Sequence, residues 1–210
     1  MPTVPSECDL VIDGYPRSGN TFAKAMFLLT QGERWGLLTH RHNPCSVAVA
    51  IKMGKPVLFI IRQPVDSIIS WHLFTGQPLE RIIAHYVVFH RKLLIYRDKM
   101  AIVTFDELTN DFPDVLRRLQ KRAALDFNTA FEHDTLARQA IASIDDTTSF
   151  KDGADREKMI PRPSEWRREL KTKLAVELRT LCYAQAMADA DRVYAQFSSG
   201  REKEPASHMR

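Results

Sequence analysis

The stretch LVIDGYPRSGNTF, Leu10 to Phe22, decides how the fold is read. Leu10-Val11-Ile12 is a short apolar run of strand type. A turn carrying Gly14 and Gly19 follows, and a helix starts near Thr21 with Phe22, Met26 and Leu29 on one side. A strand–turn–helix opening leaves backbone N–H groups of the turn and first helical turn without partners, and such groups bind anionic oxygens. The spacing Gly14-x-x-x-x-Gly19-Asn20-Thr21 nearly matches the phosphate loop GxxxxGK[ST]. Asn20 stands where the lysine belongs, and the cation comes earlier in the loop, as Arg17. An ordinary connection is the plain alternative. Against it stands the density of Arg17, Ser18, Asn20 and Thr21 around one glycine after a strand.

Working outward, three further strand candidates appear. They are Gly36–Thr39, the apolar run Val57–Ile61, and Ala101–Phe105. Val57-Leu-Phe-Ile-Ile61 has no polar alternation, as expected of a strand buried on both faces. Between them the pattern predicts helices from Pro64 to near Gly76, from Leu79 to Tyr96, and after Asp111 with Pro113 in the first turn. The C-terminal third, from about Phe127, reads as helical and polar, interrupted by a loop around Thr147 to Pro163. Strands alternating with longer amphipathic stretches argue for an α/β fold with parallel strands. No repeat or linker divides the chain. One domain is expected over residues 1–197, with 198–210 as a disordered tail.

A second motif follows the strongest strand: Arg62-Gln-Pro-Val-Asp-Ser-Ile-Ile-Ser70. Arg62 sits at the carboxyl end of a strand, where open α/β sheets bind ligands. Pro64 opens a helix, and Ser70 comes about two turns on, within reach of the same oxyanion. Arginine suits phosphate through its planar fork. A surface arginine and a helical serine are commonplace singly, whereas two anion sites at neighbouring strand ends are less so.

Composition narrows the class. The chain has 210 residues, 44% hydrophobic and 27% charged, a globular balance. No apolar run reaches the ~20 residues of a membrane span, and the N-terminus lacks the basic and apolar regions of a secretory signal. Cys8, Cys45 and Cys182 lie far apart and form neither a CxxC nor a zinc pattern, which suits a reducing, cytoplasmic setting. The net charge of +4 is mildly basic. It suits an anionic ligand, but no dense basic patch or aromatic motif points to nucleic acid. His85 and His90 fall about 140° apart on one helix, which argues against a metal site there. Trp35, Trp71 and Trp166 read as packing residues, and Arg117-Arg118 and Arg167-Arg168 as solvated helix faces.

Taken together, these motifs resemble the PAPS-dependent sulfotransferase family. Tyr15-Pro-Arg-Ser-Gly-Asn-Thr-Phe22 is similar to the family's YPKSGTTW loop for the 5′-phosphosulfate, and Arg62 to Ser70 to its RxPxDxxxS stretch for the 3′-phosphate. Ala101-Ile-Val-Thr-Phe-Asp-Glu-Leu108 is similar to the strand and (Y/F)EDL segment. Leu38-Thr-His-Arg41 is similar to KTHLP, with its catalytic histidine. The matches run in family order over roughly residues 9 to 120.

The resemblance implies a three-layer sandwich with a central, mostly parallel sheet, a P-loop-like 5′-phosphosulfate loop and a helical C-terminal part. It implies PAPS as sulfuryl donor and PAP as product, with no metal. Tyr15, Pro16, Arg17, Ser18, Gly19, Asn20, Thr21, Phe22, Arg62 and Ser70 would bind the nucleotide. Phe22 would stack on adenine, Arg17 would stabilise charge on the leaving phosphate, and His40 would be the general base, with His42 as rival. A histidine of ordinary pKa, ~6.5, accepts a proton near neutral pH. Positioning and charge stabilisation do most of the work in such in-line transfers.

Three features depart from the family. Arg17 replaces lysine and is a poorer proton donor. The C-terminal RKGxxGDW loop is missing, with Lys158 to Arg167 in a comparable place and Arg162 as a candidate cation. The chain is also short, which implies an open acceptor side. Such a site suits a bulky acceptor or is completed by a second subunit in a homodimer; the acceptor is expected to be small-molecule or glycan-like, and neither nucleic acid nor membrane is expected as partner. Two other functions stay open. A P-loop small-molecule kinase or nucleotide hydrolase needs the loop lysine and an acidic residue after strand Val57–Ile61, and has neither. A non-catalytic phosphoadenosine-nucleotide-binding domain would use the same loop without transfer.

Overall fold

The computed structural model describes residues 4–148 and 165–199. Its centre is a four-stranded sheet of β1 (Leu10–Gly14), β2 (Leu37–Thr39), β3 (Val57–Ile61) and β4 (Ala101–Thr104), in the order β2-β1-β3-β4. Every pairing is parallel. Val11 stands opposite Val57 and Gly14 opposite Ile60, and Ile61 faces Thr104. Because the strands run the same way, all four carboxyl ends lie along one edge.

Helices cover both faces, as parallel strands require. They are α1 (Asn20–Gln31), α2 (Pro44–Lys52), α3 (Pro64–Thr75), α4 (Leu79–Leu93), α5 (Phe105–Asn110), α6 (Phe112–Ala123), α7 (His133–Thr148), α8 (Glu165–Glu177) and α9 (Leu181–Ser198). A 3₁₀ segment, Leu94–Lys99, joins α4 to β4. Strand alternation sends Val11, Phe59 and Ile61 into one core with α2, α3, α4, α8 and α9. It sends Ile12, Leu58, Ile60 and Val103 into a second core with α1, α6 and α7. The result is the expected layered α/β architecture with a helical C-terminal part.

Local chemistry explains where the elements begin and end. Thr104 caps α5 through a capping box: its hydroxyl accepts from the Glu107 N–H while Glu107 reaches back to the Thr104 N–H. Asn43 caps α2, accepting from the Cys45 N–H at 2.9 Å, and Pro44 follows in the first turn. Neither short helix is visible as periodicity, because each spans too few turns. On α1 the inward stripe is Ala23, Met26 and Phe27, while Leu29, expected on that side, is exposed. The long helix ends at Leu93 rather than Tyr96, its continuation tightening into the 3₁₀ segment. Gly14 is required by close approach: a Cβ there would lie 2.3 Å from the Ile60 carbonyl oxygen on β3.

Candidate functional site

The loop between β1 and α1 is shaped from behind. Tyr15 is wholly buried, its ring set among His85, Tyr86, Phe89 and His90, and its hydroxyl donates to the Ile82 carbonyl at 3.2 Å. Burial raises its phenol pKa far above the ordinary value. The side chain of Tyr15 is therefore an anchor in the core and does not face a ligand. Its carbonyl organises the turn, accepting from the Ser18 N–H at 3.2 Å and the Asn20 Nδ2 at 3.2 Å. Pro16 is likewise buried.

Past that anchor the chain turns through Arg17 (φ 67°) and Gly19 (φ 100°) into α1. No side chain caps α1, and no acid stands in its first turn. Its leading N–H groups and positive dipole end are thus left open. Gly19 backs onto α5, where a Cβ would meet Phe105 and Leu108 at 3.0 and 3.1 Å. The Ser18 hydroxyl is buried and has no hydrogen-bond partner among the described residues. Phe22 is half-buried against the second core.

Two arginines converge on this loop. The Arg17 Nε donates to the Ser70 hydroxyl on α3 at 3.1 Å, and its guanidinium lies over the Phe74 ring at 4.9 Å. Phe74 in turn stacks on Trp71, which therefore stands beside the site. Arg62, just past β3, donates through Nη1 to the Arg17 carbonyl at 2.9 Å and lies over the Phe105 ring at 4.1 Å. Its Nε is buried with no partner among the described residues. Burial lowers the Arg62 pKa, with Asp66 and Asp106 opposing. Ser70 thus meets Arg17 directly, and Arg62 reaches the same cluster through the loop backbone.

His40 follows β2 and comes over the start of α1. Its Nε2 is 3.0 Å from the Thr21 hydroxyl and its Nδ1 is 3.0 Å from the Thr39 hydroxyl. Its pKa is lowered, first by burial and then by His42 and Lys24. A lowered imidazole pKa leaves the ring neutral and able to accept a proton at pH 7. His42 is placed differently. Its Nδ1 donates to the Gly14 carbonyl at 2.9 Å and lies 3.5 Å from the Asp13 carboxylate. Sequence reasoning gave no site role to Asp13 or Phe105, and read Phe74 only as one of the aromatics that follow Ser70. Phe105 could have been found from the T-x-x-E signal that starts a helix after β4. Arg162 and residues 158–164 of the expected C-terminal loop lie outside the described residues, as does the chain beyond Ser199, whereas Glu165 to Arg167 open α8. Among the described residues no cluster of side chains could hold a metal ion, and no helix is long and apolar enough to cross a membrane.

No protein-family model and no curated protein matches the chain. Among solved structures, the mouse sulfotransferase SULT7A1 complexed with PAP shares its fold. The two align over 90% of each chain with a TM-score of 0.51 and 13% identity. At that identity the likeness concerns the fold.

Proposed function

We propose that the chain transfers a sulfuryl group from PAPS to a hydroxyl or amine acceptor, releasing PAP. One observation supports this above others. At the carboxyl ends of the strands, an uncapped loop and helix start lies beside two guanidinium groups, bonded to Ser70 and to the loop backbone, and a neutral imidazole bonded to Thr21. The residues fit a doubly anionic nucleotide: the Ser18 hydroxyl and the Arg62 Nε–H are buried donors without partners among the described residues. A buried donor left so costs about 1–3 kcal/mol, which an anionic oxygen would recover. The likeness in fold to a PAP-bound sulfotransferase points the same way.

In this reading, Ser18, Gly19, Asn20 and Thr21 bind the 5′-phosphate side with the α1 N-terminus. Arg62 and Ser70 bind the 3′-phosphate, and Phe22 stacks on adenine. PAPS, when bound, supplies an activated sulfuryl group on a good leaving phosphate. Arg17 neutralises charge at that phosphate and, through Ser70, ties the two anion sites together. His40 takes the proton from the acceptor. The acceptor is a small molecule or glycan-like hydroxyl or amine compound.

The deciding experiment is thermal stability with PAP, with 5′-AMP and Mg·ATP as controls. Ligand at 100 times its Kd stabilises by ~2.7 kcal/mol, a rise of roughly 5–10 °C for a domain of this size. A shift with PAP but not 5′-AMP is expected, since Arg62 and Ser70 are assigned to the 3′-phosphate. A shift with Mg·ATP alone would replace this reading with a kinase or hydrolase. With an acceptor panel, His40→Ala should retain the PAP shift and abolish transfer. No transfer by the wild type to any acceptor would favour a binding domain.

A further inference from the structure

Asp13 has no place in the roles above, yet it is a wholly buried carboxylate at the end of β1. It accepts from two separate pieces of chain. One is the Gly14 N–H, at the root of the nucleotide loop, at 2.9 Å. The other is the His42 N–H, beyond β2, at 3.1 and 3.3 Å. Burying a carboxylate is costly unless its lone pairs are filled. For a single N–H, a backbone carbonyl would serve at lower cost. What the carboxylate adds is a joint between the two loops.

The segment it holds needs holding. His40 and His42 both have left-handed backbones, with φ of 57° and 47°. Residues with a Cβ persist there only when their surroundings enforce it. The His42 ring strengthens the joint through its Nδ1 bond to the Gly14 carbonyl. Two residues back, His40 is delivered to Thr21 on α1 and Thr39 on β2.

We propose that Asp13 is a positioning residue: its carboxylate clasps the His40–His42 bend to the nucleotide loop and so sets the His40 imidazole over the start of α1. The importance of this for catalysis rests on the reading of His40 as base. The clasp itself stands apart from that reading.

The test is an NMR titration of the His40 ring in the full chain, wild type against Asp13→Asn. The groups facing His40 are Thr21 and Lys24 from α1, Thr39 from β2, and His42 in its own loop. Oδ1 accepts from both N–H groups and Oδ2 from His42 alone, so an amide at position 13 sets its NH2 against the His42 N–H and weakens that arm of the clasp. His40 then loses its seat against Thr21 and Thr39, and its pKa should move up toward the ordinary value. Asp189→Asn, which breaks ion pairs with Arg91 on α4 and Arg192 on α9, should leave it unmoved. A folded Asp13→Asn protein with an unchanged His40 titration would overturn the proposal, since a merely structural carboxylate would lower Tm alone. If Asp13→Asn does not fold, amide exchange in the wild type decides. A His42 N–H protected like the β1 ladder supports the clasp, and exchange at an open-loop rate overturns it. PAP is added in parallel: if wild type gives no PAP shift while the His40 titration still moves, the sulfotransferase reading fails and the clasp stands.

Discussion

His90 makes acid the most informative perturbation of this fold. It lies on α4 with no exposed surface, enclosed by Tyr15, Phe59, Tyr86, Phe89 and Phe197. Its Nδ1 donates to the Tyr86 carbonyl at 2.8 Å, and its Nε2 has no partner among the described residues. Burial lowers its pKa from 6.5 to about 4, outweighing the Tyr86 carbonyl, with His85 adding to the depression. The sign follows from proton counting. Between pH 6.5 and about 4 the unfolded chain carries a proton on His90 and the native chain does not. The unfolded state binds more protons, so stability falls as pH falls. It is intact above the unfolded value and lost progressively down to the folded one. For that difference, the loss at pH 4.5 relative to pH 7.5 is about 2.5 kcal/mol. The assay is urea unfolding at several pH values for wild type and His90→Leu, a variant that fills the site and cannot titrate. The difference between the two should shrink or invert by about 2.5 kcal/mol across that range. Parallel pH curves would refute the reasoning, because His90 would then titrate alike in both states.

Three other outcomes follow from the geometry. Gly14→Ala should destabilise by about 3 kcal/mol in urea unfolding, since the new methyl meets the rigid Ile60 carbonyl on β3. Thr104→Ala, which dissolves the capping box of α5, should cost about 1 kcal/mol in the same assay. Arg62→Met keeps an apolar stem over Phe105 and removes the fork. By calorimetry it should weaken PAP by about ten- to a hundredfold, the worth of charge-assisted bonds, and leave any 5′-AMP binding nearly unchanged. Equal losses for both nucleotides would place Arg62 elsewhere than at the 3′-phosphate.

The sheet was legible because its residues speak locally. Val57 to Ile61 can only be a strand buried on both faces, and its limits in the structure are those of the apolar run. Loop and helix start around Gly19 were legible for the same reason, since glycine spacing and a following helix pattern are short-range signals. The helices α2 and α5 escaped because their starts are written in caps, Asn43 and Thr104, rather than in periodicity. On α1 Met26 is buried as expected, but Phe27 takes the inward place expected of Leu29, because both are apolar and only the opposing sheet chooses between them.

By itself, the sequence determined the class of fold, the strand–turn–helix loop that carries Arg17, and the residues from which a site could be built. Tertiary structure decided which of them meet. Ser70 bonds to Arg17, though Arg62 was its expected companion, because α3 carries it across to the loop. Tyr15 faces the core, although its neighbours form the loop. His40 and His42 are nearly equivalent as text, yet one reaches Thr21 while the other is tied to Gly14 and Asp13. Those distinctions depend on strand order and on two left-handed residues. They arise from contacts between segments distant along the chain, which no local pattern of residues encodes.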